Sequence, residues 1–76
     1  MRENYPLSKI VGNNILYYRK MKGVPLRLIS KEIGISAQQQ SRYERGINRI
    51  NLERLAQYVK YLKLNYIDLL TINDKP

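Results

Sequence analysis

The 76-residue chain is predicted to be all-α. Three observations predict this. Apolar residues recur at helical spacing along most of the length. Ser, Asn, Pro and Gly stand where helix caps and stops would fall, and no segment alternates convincingly enough to make a strand. Five short helices are expected.

Residues 1–7 read as an N-terminal arm ending near Pro6, and residues 8–70 as the folded domain. Ser8 is a candidate N-cap for the first helix, which runs from about Ser8 to Lys22 and buries Val11, Ile15 and Tyr18 at i, i+4 and i+7. Gly23 ends it, and Arg19, Lys20 and Lys22 suit the negative end of its dipole. Pro25 fits the first turn of the second helix, because its missing N–H would have no partner there anyway. That helix carries Leu28, Ile29 and Ile33 and stops at Gly34.

Ile35 then points inward, and Ser36 caps a third helix over about 36–45, with Gln39 placed three residues on for a capping box. Gly46 closes it, and Ile47-Asn48-Arg49-Ile50 forms a loop. Asn51 caps the fourth helix, whose expected buried stripe is Leu52, Leu55, Val59 and Leu62. Asn65 and Asp68 mark a last short helix through Leu70, and residues 71–76 read as a frayed tail.

Composition narrows the function. Lys plus Arg total 14 against 6 Asp plus Glu, a formal net charge of +8. Such an excess suits a polyanionic partner, either nucleic acid or an anionic surface. Cys, His and Trp are absent, which removes disulfides, the usual zinc sites, and thiolate or imidazole catalysis. The few carboxylates are scattered and there is no Gly-rich phosphate loop, so the sequence suggests neither an enzyme nor a metal or cofactor site. At 43% apolar residues the chain can fold, but one this small buries only about 60% of its unfolded surface, which leaves little room for a large pocket. No window approaches the roughly 18 apolar residues of a membrane span. The expected compartment is the cytoplasm of a bacterium or phage-infected cell, at the nucleoid.

The most informative segment surrounds Gly34. Ser30 is small where a second helix must cross closely. Gly34, four residues on, permits the positive φ of a tight turn, and Ile35 anchors that turn. Gly34-Ile35-Ser36 through Ser41-Arg42-Tyr43-Glu44-Arg45-Gly46 resembles the helix-turn-helix of the Cro and lambda-repressor-like family, also called the xenobiotic-response-element (XRE) regulators. Val11-Gly12, Ile15, Arg19 and Gly23 match its first helix; Asn51-Leu52-Glu53, Leu55, Leu62, Leu64, Leu69 and Leu70 match its fourth and fifth. The resemblance covers about Val11 to Leu70 without a gap.

It implies a five-helix, lambda-repressor-like domain that binds double-stranded DNA to regulate transcription, as a repressor or autoregulator. A helix fits the major groove of B-DNA, where every base pair shows a distinct pattern of donors and acceptors. Residues near the start of the recognition helix reach base edges, here Ala37, Gln38, Gln39, Ser41 and Arg42. Gln pairs bidentately with adenine and Arg with guanine, and Ala37 suits a thymine methyl. By their match to the motif, Gln38 and Arg42 are the principal readers. Arg45, Asn48 and Arg49 occupy places used for phosphate contacts in the family; Arg27, Asn13 and Asn14 are further candidates. The resemblance also implies that Arg19 pairs with Glu44 as a structural ion pair rather than a DNA contact.

Some positions depart from the family pattern. Leu26 stands where a Gln often clamps phosphate, Pro25 replaces a Ser or Thr cap, and Ile50 stands where Pro is common. Gln40 stands where Val or Ile usually packs beneath the recognition helix. Either Gln40 is buried with a hydrogen-bond partner, or the helix shifts and its base-facing register changes.

One such domain reads only a half-site, so a homodimer through the C-terminal helix is expected, with Tyr61, Tyr66, Ile67, Leu69 and Leu70 as candidate contacts. Leu64, Ile67 and Leu70 are the residues expected to complete the core. The alternative function is an antitoxin or other protein-interaction module, with a toxin or another protein as its partner and little base reading. A membrane-bound role would need a cationic amphipathic helix, for which Lys20, Lys22 and Tyr17 are too few.

Overall fold

The structure is a computed structural model that describes residues 6–72. Five helices follow in order: α1 (Pro6–Met21), α2 (Leu26–Ile33), α3 (Ala37–Glu44), α4 (Leu52–Leu62) and α5 (Tyr66–Leu70). No strand occurs among the described residues. The all-α prediction and the order of elements therefore hold.

α1 starts at Pro6, two residues earlier than expected. A proline at the start of a helix forfeits no hydrogen bond, so the helix can begin there. Ser8 consequently lies inside the first turn and does not cap it. Its buried hydroxyl instead accepts a hydrogen bond from the Ile50 amide at 3.1 Å, tying α1 to the loop after α3. The rest of the expected arm, residues 1–5, lies outside the described residues, as do residues 73–76 of the expected tail.

The turn between α2 and α3 is built as the glycine spacing predicts. Gly34 adopts φ +92°, and the amides of Gly34 and Ile35 both donate to the Ser30 carbonyl at 2.9 Å. Pro25 occupies the N-cap of α2 rather than its first turn, and makes no side-chain capping bond. Ser36 caps α3 by accepting from the Gln39 amide at 3.0 Å, and Asn51 caps α4 by accepting from the Arg54 amide at 2.7 Å. Asn65 and Asp68 form the capping box of α5, in which the Asn65 amide donates to Asp68 Oδ2 at 2.9 Å.

α1 packs against α3 and α5, and α2 against α3 and α4. The core between them joins Val11 and Ile15 of α1, Ile29 and Ile33 of α2, Tyr43 of α3, Leu55, Tyr58 and Leu62 of α4, and Leu69 of α5. Several expected core positions are corrected. Leu52 is 81% exposed, and α4 turns Leu55, Tyr58 and Leu62 inward at i, i+3 and i+7, with Val59 half-buried. Leu28 is exposed. In α5, Leu69 fills the core, whereas Ile67 and Leu70 face solvent; Leu64, in the loop before α5, is half-buried and packs against the core as expected. Tyr18 is half-buried beside Tyr17, whose ring meets it edge-on at 5.0 Å.

No helix among the described residues is long and apolar enough to cross a membrane, and none of their His, Cys, Asp or Glu side chains cluster as a metal site would require.

Candidate nucleic-acid interface

α3 has two chemically different faces. Its inward face carries Gln40, Tyr43 and Glu44, all buried. Its outward face carries Gln38, Arg42 and Arg45 at i, i+4 and i+7, all exposed. Ala37, Gln39 and Ser41 lie between them and are half-buried. With its side chains an α-helix is about 10–12 Å across, close to the width of the major groove of B-DNA.

The inward face is held by a chain of buried polar groups. Arg19 Nε donates to Glu44 Oε2 at 2.7 Å, and Arg19 Nη2 donates to Glu44 Oε1 at 3.1 Å. Arg19 Nη1 also donates to the Val24 carbonyl at 2.9 Å, so this guanidinium joins α1, the loop before α2, and α3. The Arg19–Glu44 ion pair is therefore internal, and its bidentate fork adds orientation to attraction. Gln40 Nε2 donates to Glu44 Oε2 at 2.8 Å, and the Tyr58 hydroxyl donates to Gln40 Oε1 at 2.5 Å. Gln40 is thus fully buried with both ends of its amide satisfied, which resolves the question posed by its polar side chain. Burial, with the nearby Tyr43 hydroxyl adding to it, pushes the Tyr58 hydroxyl well above its ordinary pKa.

Close backbone approach fixes the same helix from below. Gly12 of α1 sits against the end of α3, and a Cβ built there would lie 2.0 Å from the Tyr43 carbonyl oxygen. Gly46, at φ +74°, passes Lys9 so closely that a Cβ would meet the Lys9 Cα at 2.6 Å. From the far side, the Tyr58 ring meets Tyr43 edge-on at 6.3 Å, and the Arg54 guanidinium lies 6.0 Å from the Tyr43 ring centre. Arg54 also donates to Gln57 Oε1 at 2.8 Å, and Gln57 donates to the Ile33 carbonyl at 3.0 Å, satisfying the end of α2.

The phosphate candidates fall in different environments. Arg27 on α2, Arg45 at the C-cap of α3 and Arg49 in the loop that follows are exposed, and Asn48 is half-buried. Asn13 is exposed, but Asn14 is not available to a phosphate. It is buried, and its Nδ2 donates to the carbonyls of Leu69 and Thr71, both at 2.8 Å. Neither the inward Tyr58 nor its bond to Gln40 is among the sequence expectations; the i, i+3, i+7 spacing of Leu55, Tyr58 and Leu62 is the signal that marks Tyr58 as inward.

A short helix, a glycine turn and a capped second helix with a polar outward face define a helix-turn-helix domain. A helix-turn-helix family model matches residues 15–69. The chain belongs to this family, the XRE or lambda-repressor-like group of DNA-binding transcriptional regulators. It is 35% identical over 54 residues, 71% of its length, to the HTH-type transcriptional regulator y4wC of Sinorhizobium fredii, and it spans 38% of that protein. Among solved structures, the clp gene regulator ClgR from Corynebacterium glutamicum superposes with a TM-score of 0.80 at 29% identity, covering 90% of this chain and 87% of that one. The restriction-modification controller C.AhdI from Aeromonas hydrophila shares the fold, with a TM-score of 0.76 at 18% identity, over 86% of this chain and 98% of that one.

Proposed function

We propose that this protein binds a near-palindromic double-stranded DNA operator as a homodimer and regulates transcription, as a repressor or autoregulator, at the bacterial or phage nucleoid. α3 enters the major groove. Gln38 and Arg42 read base edges, Ala37, Gln39 and Ser41 support them, and Arg27, Arg45, Asn48 and Arg49 hold phosphates. The observation that carries this reading is the exposure of Gln38 and Arg42 on one face of a helix whose opposite face is locked into the core.

Selection of bound duplexes from a random pool identifies the operator. On that site Arg42→Ala is expected to weaken binding by about 1–3 kcal/mol while leaving scrambled DNA nearly unaffected. Arg49→Ala is expected to weaken both duplexes about equally and to lower the salt slope by about 1. Gel shifts over a salt series measure both effects. Equal losses for the two variants on both duplexes would reject the assignment.

A further inference from the structure

Gln40 is buried on the far side of α3 from the proposed base-reading face, and its amide is hydrogen-bonded at both ends. It stands at the centre of a continuous series: Arg19 on α1, Glu44 and Gln40 on α3, Tyr58 on α4. We propose that Gln40 is a positioning residue for base recognition: its bonds to Tyr58 and Glu44 set the rotation of α3 about its own axis, and so which base edges Gln38 and Arg42 meet. This rests on the DNA-reading role of α3 proposed above.

The geometry is the reason. Gln38 and Arg42 each lie two residues from Gln40, which places both about 160° around the helix from it. Any rotation that displaces Gln40 in the core therefore swings both readers across the groove. A turn of about 15° moves atoms at the side-chain radius of about 6 Å by about 1.5 Å. Recognition contacts tolerate only about 0.5 Å. Apolar packing is non-directional and permits such a turn, whereas a hydrogen bond weakens steeply once misaligned. Tyr58 and Arg19 hold the inward face from two different helices, so the helix is fixed against rotation in either sense. Such a network is a poor device for stability alone, because a well-packed apolar pair of similar volume is often as stable or more so.

The test compares wild-type protein with Gln40→Leu/Tyr58→Phe, which replaces the polar pair by an apolar one, and with Tyr58→Phe, which removes a single oxygen atom. Each is put through random-pool DNA selection, and affinities are measured for the wild-type operator and a scrambled duplex. Thermal melts by circular dichroism establish that each is folded. The expected result is a folded double variant that holds scrambled DNA within about twofold of wild type but loses about tenfold of its preference for the operator, with relaxed selection at the bases read by Gln38 and Arg42 together. Tyr58→Phe is expected to lose preference in the same direction, and it carries the test if the double variant does not fold. Folded variants that select the wild-type sequence with undiminished preference would overturn this inference while leaving the DNA reading intact. A wild-type protein that selects no common sequence would overturn both.

Discussion

Gly12 shows how much a single absent atom can decide. Its neighbour is the Tyr43 backbone carbonyl, with the Glu44 carbonyl 3.1 Å from the same Cβ position, so no side-chain rotation can make room. Gly12→Ala must push α1 away from the end of α3, and is expected to cost about 1–3 kcal/mol or more, as overpacked cores do. For a domain of this size each kcal/mol lowers Tm by about 4–8 °C, so a thermal melt reads the effect directly. An unchanged Tm would show that the two helices do not meet there. Val11-Gly12 is visible in the sequence as part of the resemblance, but what the glycine faces is not, because the Tyr43 carbonyl lies about thirty positions further along the chain. Gln40 is similar. Its place on the inward face of α3 follows from its position in the motif, whereas the hydroxyl that satisfies it comes from α4.

α5 depends on what it is tied to. Five residues are far too few for an autonomous helix, since nucleation alone would prevent it. Its capping box orders the first turn, Leu69 seats it in the core, and Asn14 from α1 accounts for the carbonyls of Leu69 and Thr71 at its end. Asn14→Ala leaves those two carbonyls without their donor, and is expected to cost about 1–3 kcal/mol. Its effect should be local first: amide exchange in α5 should accelerate more than in α2 and α3. Uniform acceleration along the chain would argue against a separate clasp. The caps of α3, α4 and α5 were all readable in the sequence, because capping is a contact over three residues. The inward face of α4 was legible only in part, with Leu55 and Leu62 placed inward and Tyr58 missed, and that of α5 was not. Apolar spacing in α4 admits two stripes, and one turn and a half in α5 is too short for a period to declare itself.

Placing α5 on α1 leaves Tyr66, Ile67, Leu70 and Ile72 exposed along the C-terminal segment, while Leu69, one of the expected dimer contacts, is internal and Tyr61 is half-buried. A single domain with one recognition helix covers one half-site, and two copies spaced by about 34 Å read a palindrome with twice the contacts. Sedimentation with the selected operator is expected to show two chains per duplex. Ile67→Glu, at a position 67% exposed and outside the core, is expected to reduce this to one without lowering Tm. A wild-type protein that stays strictly monomeric at high concentration and on DNA would reject pairing through this face. The net charge of +8 favours the first encounter with any duplex, whereas the proposed pairing of two recognition helices would add selectivity.

Most of what depends on neighbours a few residues apart was present in the sequence: the five helices, the caps of α3, α4 and α5, the glycine turn after α2, and the polar outer face of α3. The family pattern supplied one long-range contact as well, the pairing of Arg19 with Glu44. What required the folded molecule was the choice among equivalent local options. Tyr58 rather than Leu52 faces inward, Asn14 clasps α5 instead of reaching for phosphate, and Gln40 is satisfied where it lies rather than forcing α3 aside. The reason is physical. Helix propensity and capping act over one or two turns, whereas burial and hydrogen-bond satisfaction are set by whichever distant element closes the site.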